Sequence, residues 1–170
     1  IGDYYKTLIT FYGDLLYEWD PLGIKIELDK YPTFSNAESI TSPIAIDIDG
    51  DGIETTSESQ GVFFDHDNNG FAEHSGWIKP DDGLLARDLD GNGVISSGAE
   101  LFGNNTFLKD GTTAANGFEA LAELDTNADG VIDVQDEGYA DLRVWRDMNG
   151  DGSSQTSELY SLEEAGVSSI

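Results

Sequence analysis

Five short acidic motifs carry the clearest chemistry in this sequence of 170 residues. Each has the form Asp-x-Asp/Asn-x-Asp/Asn-Gly, and the copies begin at Asp47, Asp65, Asp88, Asp125 and Asp147. In an EF-hand-like calcium loop, positions 1, 3 and 5 supply side-chain oxygens, position 7 a backbone carbonyl and position 12 a carboxylate. Glycine at position 6 permits the sharp turn. The spacing therefore predicts five metal-binding loops, which we number in chain order.

The fourth and fifth loops match this ligand pattern best. The predicted ligands of the fourth loop are Asp125, Asn127, Asp129, the Val131 carbonyl, Asp133 and Asp136. Those of the fifth loop are Asp147, Asn149, Asp151, the Ser153 carbonyl and Glu158, with Gln155 at position 9. Both loops have a carboxylate at position 12, so each supplies its own closing ligand.

The other three loops depart from the pattern near their ends. The third has Asp88, Asp90, Asn92, the Val94 carbonyl and Glu100, with Ser96 at position 9. Its closing Glu100 comes one residue late, which implies an expanded loop. The first has Asp47, Asp49, Asp51 and the Ile53 carbonyl, with Glu58 at position 12. The second has Asp65, Asp67, Asn69, the Phe71 carbonyl and Glu73. Its position 12 is Gly76, so a ligand from elsewhere must close it, and Asp81 or Asp82 could serve.

The overall composition agrees with cation binding. There are 34 acidic and 8 basic residues, a net charge of -26, and no cysteine. Such a chain repels phosphate backbones and anionic lipid headgroups, which argues against a nucleic-acid or membrane partner. Hard oxygen ligands in irregular loops favour calcium, up to about five ions, because magnesium demands stricter octahedral geometry. His66 and His74 lack a further soft ligand nearby, so we do not interpret them as a zinc pair.

A plainer interpretation is that the motifs are solvated acidic turns, since Asp, Asn and Gly favour turns with no metal present. Recurrence of glycine at position 6 in all five copies disfavours that coincidence. If the loops do bind calcium, the apo chain must bring many carboxylates together unaided. Two of them about 4 Å apart repel by roughly 1 kcal/mol in water and about 4 kcal/mol at an intermediate dielectric constant. We therefore expect calcium to be required for folding, and chelation to abolish most helical circular dichroism.

The N-terminal segment is predicted to be a helix followed by a strand. Apolar residues recur at helical spacing, namely Tyr4, Leu8, Phe11, Leu15 and Trp19. Pro21 disfavours helix at the preceding residue, so this helix is expected to end near residues 17–19. Alternation over residues 24–28 predicts a short strand, and residues 31–42 are polar and form a connector. Residues 1–42 thus form an upstream flank.

Residues 43–170 are predicted to form a calcium-dependent module of their own. A strand over residues 44–48 enters the first loop, a helix over 117–124 enters the fourth, and a strand over 142–145 enters the fifth. A further helix is expected over 158–164, ended by Gly166. The fold class predicted for the chain is α+β: short strands and helices joined by EF-hand-like calcium loops, with an N-terminal helix. The intervals between loops are too irregular for a calmodulin-like array.

Four stretches resemble the self-processing module of FrpC-type RTX proteins. They are PIAIDIDGDGIET at 43–55, DDGLLARDL at 81–89, GAELFG at 98–103 and LRVW at 142–145. The resemblance implies a secreted, extracellular protein in which calcium-induced folding activates cleavage of an Asp-Pro bond just before this opening. It also implies that the freed aspartyl group, passing through a cyclic anhydride, is joined to a lysine of another protein as an isopeptide.

The residue that precedes Pro43 is Ser42, not Asp, and serine cannot form the anhydride. Either the protein has lost the reaction, or the residue was replaced to hold the uncut form. The only Asp-Pro pair is Asp20-Pro21, either a turn or a displaced scissile bond. Besides an autocatalytic module that is inactive as written, a structural or adhesive calcium module remains open. A dockerin-like domain is the weakest alternative, because only the fourth and fifth loops resemble each other.

Overall fold

The computed structural model describes residues 8–12, 15–18 and 43–170. The strands in chain order are β1 (Leu8–Tyr12), β2 (Leu15–Glu18), β3 (Ile44–Ile46), β4 (Val62–Phe64), β5 (Glu73–Ser75), β6 (Gly83–Arg87), β7 (Leu142–Trp145) and β8 (Leu159–Ser161). Six of them form one antiparallel sheet in the order β2-β1-β3-β6-β7-β8, while β4 and β5 form a separate hairpin. The helix α1 covers Gly117–Ala122. Single 3-10 turns occur at Glu58–Gln60, Gly98–Glu100, Tyr139–Asp141 and Thr156–Glu158.

The strand register decides which loops become neighbours. Ile46 at the end of β3 pairs with Gly83, and Trp145 at the end of β7 pairs with Leu84. Because the strands are antiparallel, the carboxyl ends of β3 and β7 both lie beside the start of β6. The first and fifth loops therefore emerge at one edge of the sheet, with the residues that precede β6 between them.

Both faces of the sheet are buried at its strands β3, β6 and β7, which explains why these strands are largely apolar. Side chains alternate along β6, where Leu85 joins the core on one face while Leu84 and Ala86 join the core on the other. On the first face the core includes Leu121 of α1. On the second face it includes Val62 and Phe64 of β4 and Trp77. The sheet is thus a rigid platform between two apolar layers.

The α+β prediction is wrong, and so is the predicted N-terminal helix. Within the described residues the structure is mostly sheet, with α1 as its one short helix. The apolar stripe that suggested an N-terminal helix falls partly in β1 and β2, which pair with each other, and β1 also pairs with β3. Ile9, Thr10 and two aromatic residues in β1 favour strand geometry. Gly13-Asp14, between the two apolar runs, is a hairpin signal that the helical spacing concealed.

Of the other predicted secondary-structure elements, some are confirmed, one is wrong and some lie outside the described residues. The strands entering the first and fifth loops are confirmed as β3 and β7, and the helix entering the fourth as α1, whose N-cap is Asn116. The helix expected over 158–164 is wrong, because Leu159 pairs with Trp145 and extends the sheet as β8. The predicted strand at 24–28, the connector at 31–42 and the Asp20-Pro21 pair lie outside the described residues.

In the described part of the chain, no helix has the length and apolar character that crossing a bilayer requires.

Candidate metal centres

The sheet positions most of the loops directly. Asp47 follows the last residue of β3, Asp65 that of β4 and Asp88 that of β6, while Asp147 stands two residues after β7. The fourth loop instead follows α1, with Asp125 three residues after its end. Position 1 of each loop is therefore held by a regular element, and the rest of the loop turns around it.

Each loop turns around its first aspartate in the same way. The carboxylate at position 1 accepts the N–H of the glycine at position 6, at donor–acceptor distances of 2.7–3.2 Å. These glycines are Gly52, Gly70, Gly93, Gly130 and Gly152. The bond wraps the chain around the carboxylate and turns positions 1, 3 and 5 toward a common centre. The motif spacing thus produces the local geometry that it predicts.

A closing carboxylate is held over the third, fourth and fifth loops by two backbone amides, those of positions 2 and 9. Glu100 accepts from Leu89 at 3.2 Å and Ser96 at 2.7 Å, Asp136 from Thr126 at 2.7 Å and Asp133 at 3.1 Å, and Glu158 from Met148 at 3.0 Å and Gln155 at 3.2 Å. All three carboxylates are buried. Each one is fixed facing its own loop, as the closing bidentate ligand of a calcium loop must be. The late Glu100 therefore still reaches its loop.

In the second loop, the carboxylate that lies over the loop is that of Glu73. Its Oε2 accepts the N–H of His66, at position 2, at 2.9 Å. Its carboxylate lies within 4.8 Å of those of Asp65 and Asp67. Asp81 and Asp82, the residues suggested from the sequence to close this loop, lie in a separate acidic cluster with Glu54. Burial lowers the pKa of His66, whose Nε2 is 2.7 Å from Ser75 Oγ. This half-buried ring packs edge-on against Phe64.

Carboxylate clusters mark the first three loops. In the described residues, three carboxylate oxygens lie within 4.8 Å of one another in the sets Asp47, Asp49, Asp51, then Asp65, Asp67, Glu73, and then Asp88, Asp90, Glu100. The fourth and fifth loops have asparagine at position 3, whereas the second and third have it at position 5. The amide at position 3 donates to the carboxylate at position 5, from Asn127 to Asp129 at 3.0 Å and from Asn149 to Asp151 at 2.9 Å.

The structure contains a fourth acidic cluster, whose members the sequence analysis did not group together. Glu54, Asp81 and Asp82 also bring three carboxylate oxygens within 4.8 Å of one another. Burial raises the pKa of Asp82 to about 6, and the negative charges of Asp47 and Asp81 add to the shift. Motif spacing could not reveal this cluster, because Glu54 and Asp82 are 28 residues apart in the sequence. The paired acidic residues just before a buried strand were the available signal.

The carboxylates differ in how readily they ionise. The N–H of Gly93 lowers the pKa of Asp88, and the N–H of Asp133 lowers that of Asp136, so both favour the charged form. Asp51 behaves oppositely: a hydrogen bond with Asp49 raises its pKa, followed by burial and the charges around it. A cation at such a site would reverse that shift, because it stabilises the ionised form.

The fifth loop is joined to the aromatic core through Asp147. This side chain is 1% exposed, and its Oδ2 accepts the indole N–H of Trp77 at 2.7 Å. Trp77 packs edge-on against Trp145, with ring centroids 5.4 Å apart, and also contacts Phe64. A change in the charge or position of Asp147 is therefore transmitted directly to a buried indole, which makes tryptophan fluorescence a reporter of this loop.

The donor set of these loops suits calcium. The candidate ligands are all carboxylate, amide and carbonyl oxygens, the ligands that hard cations prefer. Among the residues that the structure describes, three buried carboxylate oxygens also lack a hydrogen-bond partner, namely Glu54 Oε2, Asp81 Oδ1 and Asp82 Oδ1. Unpaired buried carboxylate oxygens are costly unless a cation compensates them. The residues present thus fit the metal that the sequence predicts.

Two glycines of the fifth loop offer a matched test of its packing. Gly150 and Gly152 have φ angles of 68° and 70°, but an added Cβ at Gly152 would lie 2.6 Å from Val62 Cγ2, while none lies within 4 Å at Gly150. We expect Gly150→Ala to cost about 1–2 kcal/mol from backbone strain. Gly152→Ala should cost a further 1–3 kcal/mol, roughly, from overpacking. Denaturant unfolding in calcium would measure both, and equal losses would contradict the packing of this loop on β4.

The fold and these loops define a β-sheet domain with oxygen-rich loops, four of which follow strands and one of which follows α1. Residues 44–170 match the profile of the SPM domain, so the chain belongs to the SPM domain family. It is similar to the iron-regulated protein FrpA of Neisseria meningitidis serogroup C, with 43% identity over 195 aligned residues. The alignment covers 99% of this chain and 18% of that relative. These matches confirm the relation to FrpC-type RTX proteins that the sequence stretches indicated.

Proposed function

We propose that this chain is a calcium-binding module that requires calcium to fold and belongs to a secreted RTX-type protein. The observation that supports it most is the closing carboxylate, held by two backbone amides over each of the third, fourth and fifth loops. A solvated turn has no need for a distant carboxylate fixed in this position. A calcium loop needs one, because the closing carboxylate completes the ligand shell.

Electrostatics explains why binding and folding would be coupled. A net charge of -26 opposes compaction, and the loops concentrate that charge into oxygen clusters. A ligand that binds only the folded chain, at a hundred times its dissociation constant, stabilises it by about 2.7 kcal/mol per site. Several such sites together reach the usual stability of a domain, about 5–15 kcal/mol. An extracellular location fits this scheme, because calcium there is abundant enough to occupy weak loops.

Native mass spectrometry during a calcium titration tests this proposal. We expect a series of adducts rising to about five calcium ions, and a chain without ions after treatment with EDTA. Magnesium at the same concentration serves as the matched control and should give fewer adducts, because it demands octahedral geometry. Identical spectra with calcium and with EDTA would reject calcium binding altogether.

We further propose that the module is of the kind that cleaves an Asp-Pro bond and forms an isopeptide, inactive here because of Ser42. Pro43 directly precedes β3, and the first loop directly follows β3. Folding of the first loop would therefore fix the backbone next to the candidate scissile bond. In such a module the aspartate carboxylate attacks its own main-chain carbonyl, and the proline nitrogen leaves with a proton. Serine offers no carboxylate for that attack.

Replacing Ser42 with aspartate tests this second proposal. With calcium, we expect Ser42→Asp to release a fragment that begins at Pro43, detected by mass spectrometry, while the chain with Ser42 stays intact. Ser42→Asn is the matched control, since it has nearly the same shape without the attacking carboxylate. Omission of calcium should also prevent cleavage of the aspartate variant.

A structural or adhesive calcium module is the second candidate, and Ser42 itself favours it. It predicts that Ser42→Asp binds calcium and folds as the original chain does, yet stays uncut. A new fragment that begins at Pro21 would instead assign the cleavage to the Asp20-Pro21 bond.

A further inference from the structure

Asp82 lies where the first loop, the central strand and the fifth loop meet. It directly precedes β6, whose first residues pair with the ends of β3 and β7. The isolated bridge between Thr55 and Ile78 brings the segment after the first loop alongside the segment before β6. This places Glu54 beside Asp81 and Asp82, far from it in sequence. The tertiary fold therefore creates a carboxylate triad at this edge of the sheet.

Each carboxylate of the triad has one buried oxygen without a hydrogen-bond partner. Asp82 is 0% exposed, yet its Oδ1 has no hydrogen-bond partner. Glu54 Oε2 and Asp81 Oδ1 are likewise buried without partners. The ion pair found in the described residues, Arg87 with Asp141, lies elsewhere. Three carboxylates that face one another without a basic partner call for a cation, because burial of unpaired charge is strongly unfavourable.

The position of Asp82 repeats that of the closing carboxylates in other loops. Those carboxylates accept the amides of positions 2 and 9 of their loops. Asp82 Oδ2 accepts the N–H of Glu54, at position 8 of the first loop, at 2.9 Å. The N–H of Ile48, at position 2, also interacts with the Asp82 carboxylate and favours its ionised form. The first loop thus presents amides to Asp82 much as the later loops do to their own closing residues.

Glu58 does not fill that role, although it stands at position 12 of the first loop. It begins the exposed 3-10 turn Glu58–Gln60, which has no buried residue. Its carboxylate is not part of the acidic clusters found in the described residues. For the closing carboxylate of the first loop, the sequence spacing therefore indicates Glu58, whereas the tertiary structure indicates Asp82.

We propose that the first loop forms a discontinuous calcium site that Asp82 closes, with Glu54 and Asp81 adding oxygen ligands. This inference rests on the calcium binding proposed above and names ligands of the same first loop. The ion would join the end of β3 to the start of β6, two strands that pair at the centre of the sheet. Calcium binding at the first loop would then require the assembled sheet. In the third, fourth and fifth loops the closing carboxylate belongs to the same chain segment as the other candidate ligands, so binding there would not require it.

Calcium titration of Asp82→Asn, followed by native mass spectrometry and calorimetry, tests the inference. We expect this variant to bind one ion fewer, or to bind its weakest ion at least about tenfold less tightly. The matched control is Glu58→Gln, which should keep the ion count and affinities of the original chain. Unchanged binding by Asp82→Asn, or loss of the ion by Glu58→Gln instead, would overturn the discontinuous site.

If Asp82→Asn folds poorly, its free energy of unfolding at two calcium concentrations still tests the proposed site. Neutralising an unpaired buried carboxylate should raise stability at the lowest calcium concentration that keeps the original chain folded, and lower it at saturating calcium, a reversal that simple damage to packing would not give. The milder variant Asp81→Asn should show the same reversal to a smaller extent. Loss of stability in both conditions by both variants would count against the site. Absence of any calcium binding by the original chain would instead reject the proposed function itself.

Discussion

Removal of calcium with EDTA is expected to unfold this domain, with loss of its sheet signal and a shift of tryptophan emission to longer wavelength. The described structure is mostly sheet, and α1 has only six residues. The change in circular dichroism should therefore be the loss of a β spectrum, and not the helical loss that the sequence alone led us to expect. Trp77 and Trp145 are buried, so exposure of both indoles to water accounts for the emission shift.

The size of this effect follows from the number of sites. Five sites, each returning about 2.7 kcal/mol at a hundred times its dissociation constant, would together contribute on the order of 13 kcal/mol. That is comparable with the total stability of an ordinary domain. Charge screening alone is a weaker effect, so a matched control in EDTA with about 0.5 M sodium chloride should recover little structure, although it shortens the Debye length considerably.

Restoration of the spectrum by millimolar calcium would complete the expected result. A folded spectrum that persists in EDTA at low salt would contradict the idea that calcium holds the sheet together. In that outcome the acidic loops would have to tolerate their own repulsion, and the aromatic core would have to suffice for stability.

Asp147→Asn is expected to be the most damaging single substitution in the loops. The Asp147 carboxylate accepts four N–H groups, those of Gly150, Asp151, Gly152 and Trp77. Asparagine offers one acceptor oxygen and turns a donor toward some of these groups. Each buried donor left unpaired costs about 1–3 kcal/mol. We therefore expect a loss of at least about 3 kcal/mol in calcium, together with the ion of the fifth loop.

Two controls separate the causes of that loss. Asp125→Asn makes the same change at position 1 of the fourth loop, where the carboxylate is less buried, and should cost less. Asp141→Asn removes an acidic side chain that is 58% exposed and paired with Arg87 at 3.0 Å, and should cost under about 1 kcal/mol. Denaturant unfolding in calcium gives all three values. If Asp147→Asn proved no worse than Asp141→Asn, the role of Asp147 in joining loop and core would be wrong.

Sequence motifs and periodicity predicted the structure correctly where the conformation depends on residues close together in the chain. Five Asp-x-Asp/Asn-x-Asp/Asn-Gly stretches turn around their first carboxylate as the spacing requires, because the hydrogen bond between positions 1 and 6 lies within the motif. The strand before the fifth loop and the short helix before the fourth were also predictable from periodicity. In these segments, neighbouring residues suffice to determine the conformation.

Patterns that depend on a distant partner were misleading. The stripe that includes Leu8, Phe11 and Leu15 has helical spacing, yet β1 and β2 are strands because β3 offers a sheet edge for pairing. Glu158–Glu164 contains the same kind of ambiguity, and pairing with β7 decides in favour of a strand at Leu159–Ser161. Intrinsic propensity is a weak preference that such tertiary contacts override.

The sequence by itself determined the number of acidic loops, the oxygen-rich character of their side chains and the family to which the chain belongs. Only the tertiary structure decided that the Glu73 carboxylate lies against the second loop and that Asp82 lies against the first. The physical reason is that a closing carboxylate must lie close to its loop in the folded structure, whatever its distance from the loop along the chain. Antiparallel pairing of β3 with β6 brings Asp82 to a loop that linear spacing assigned to Glu58.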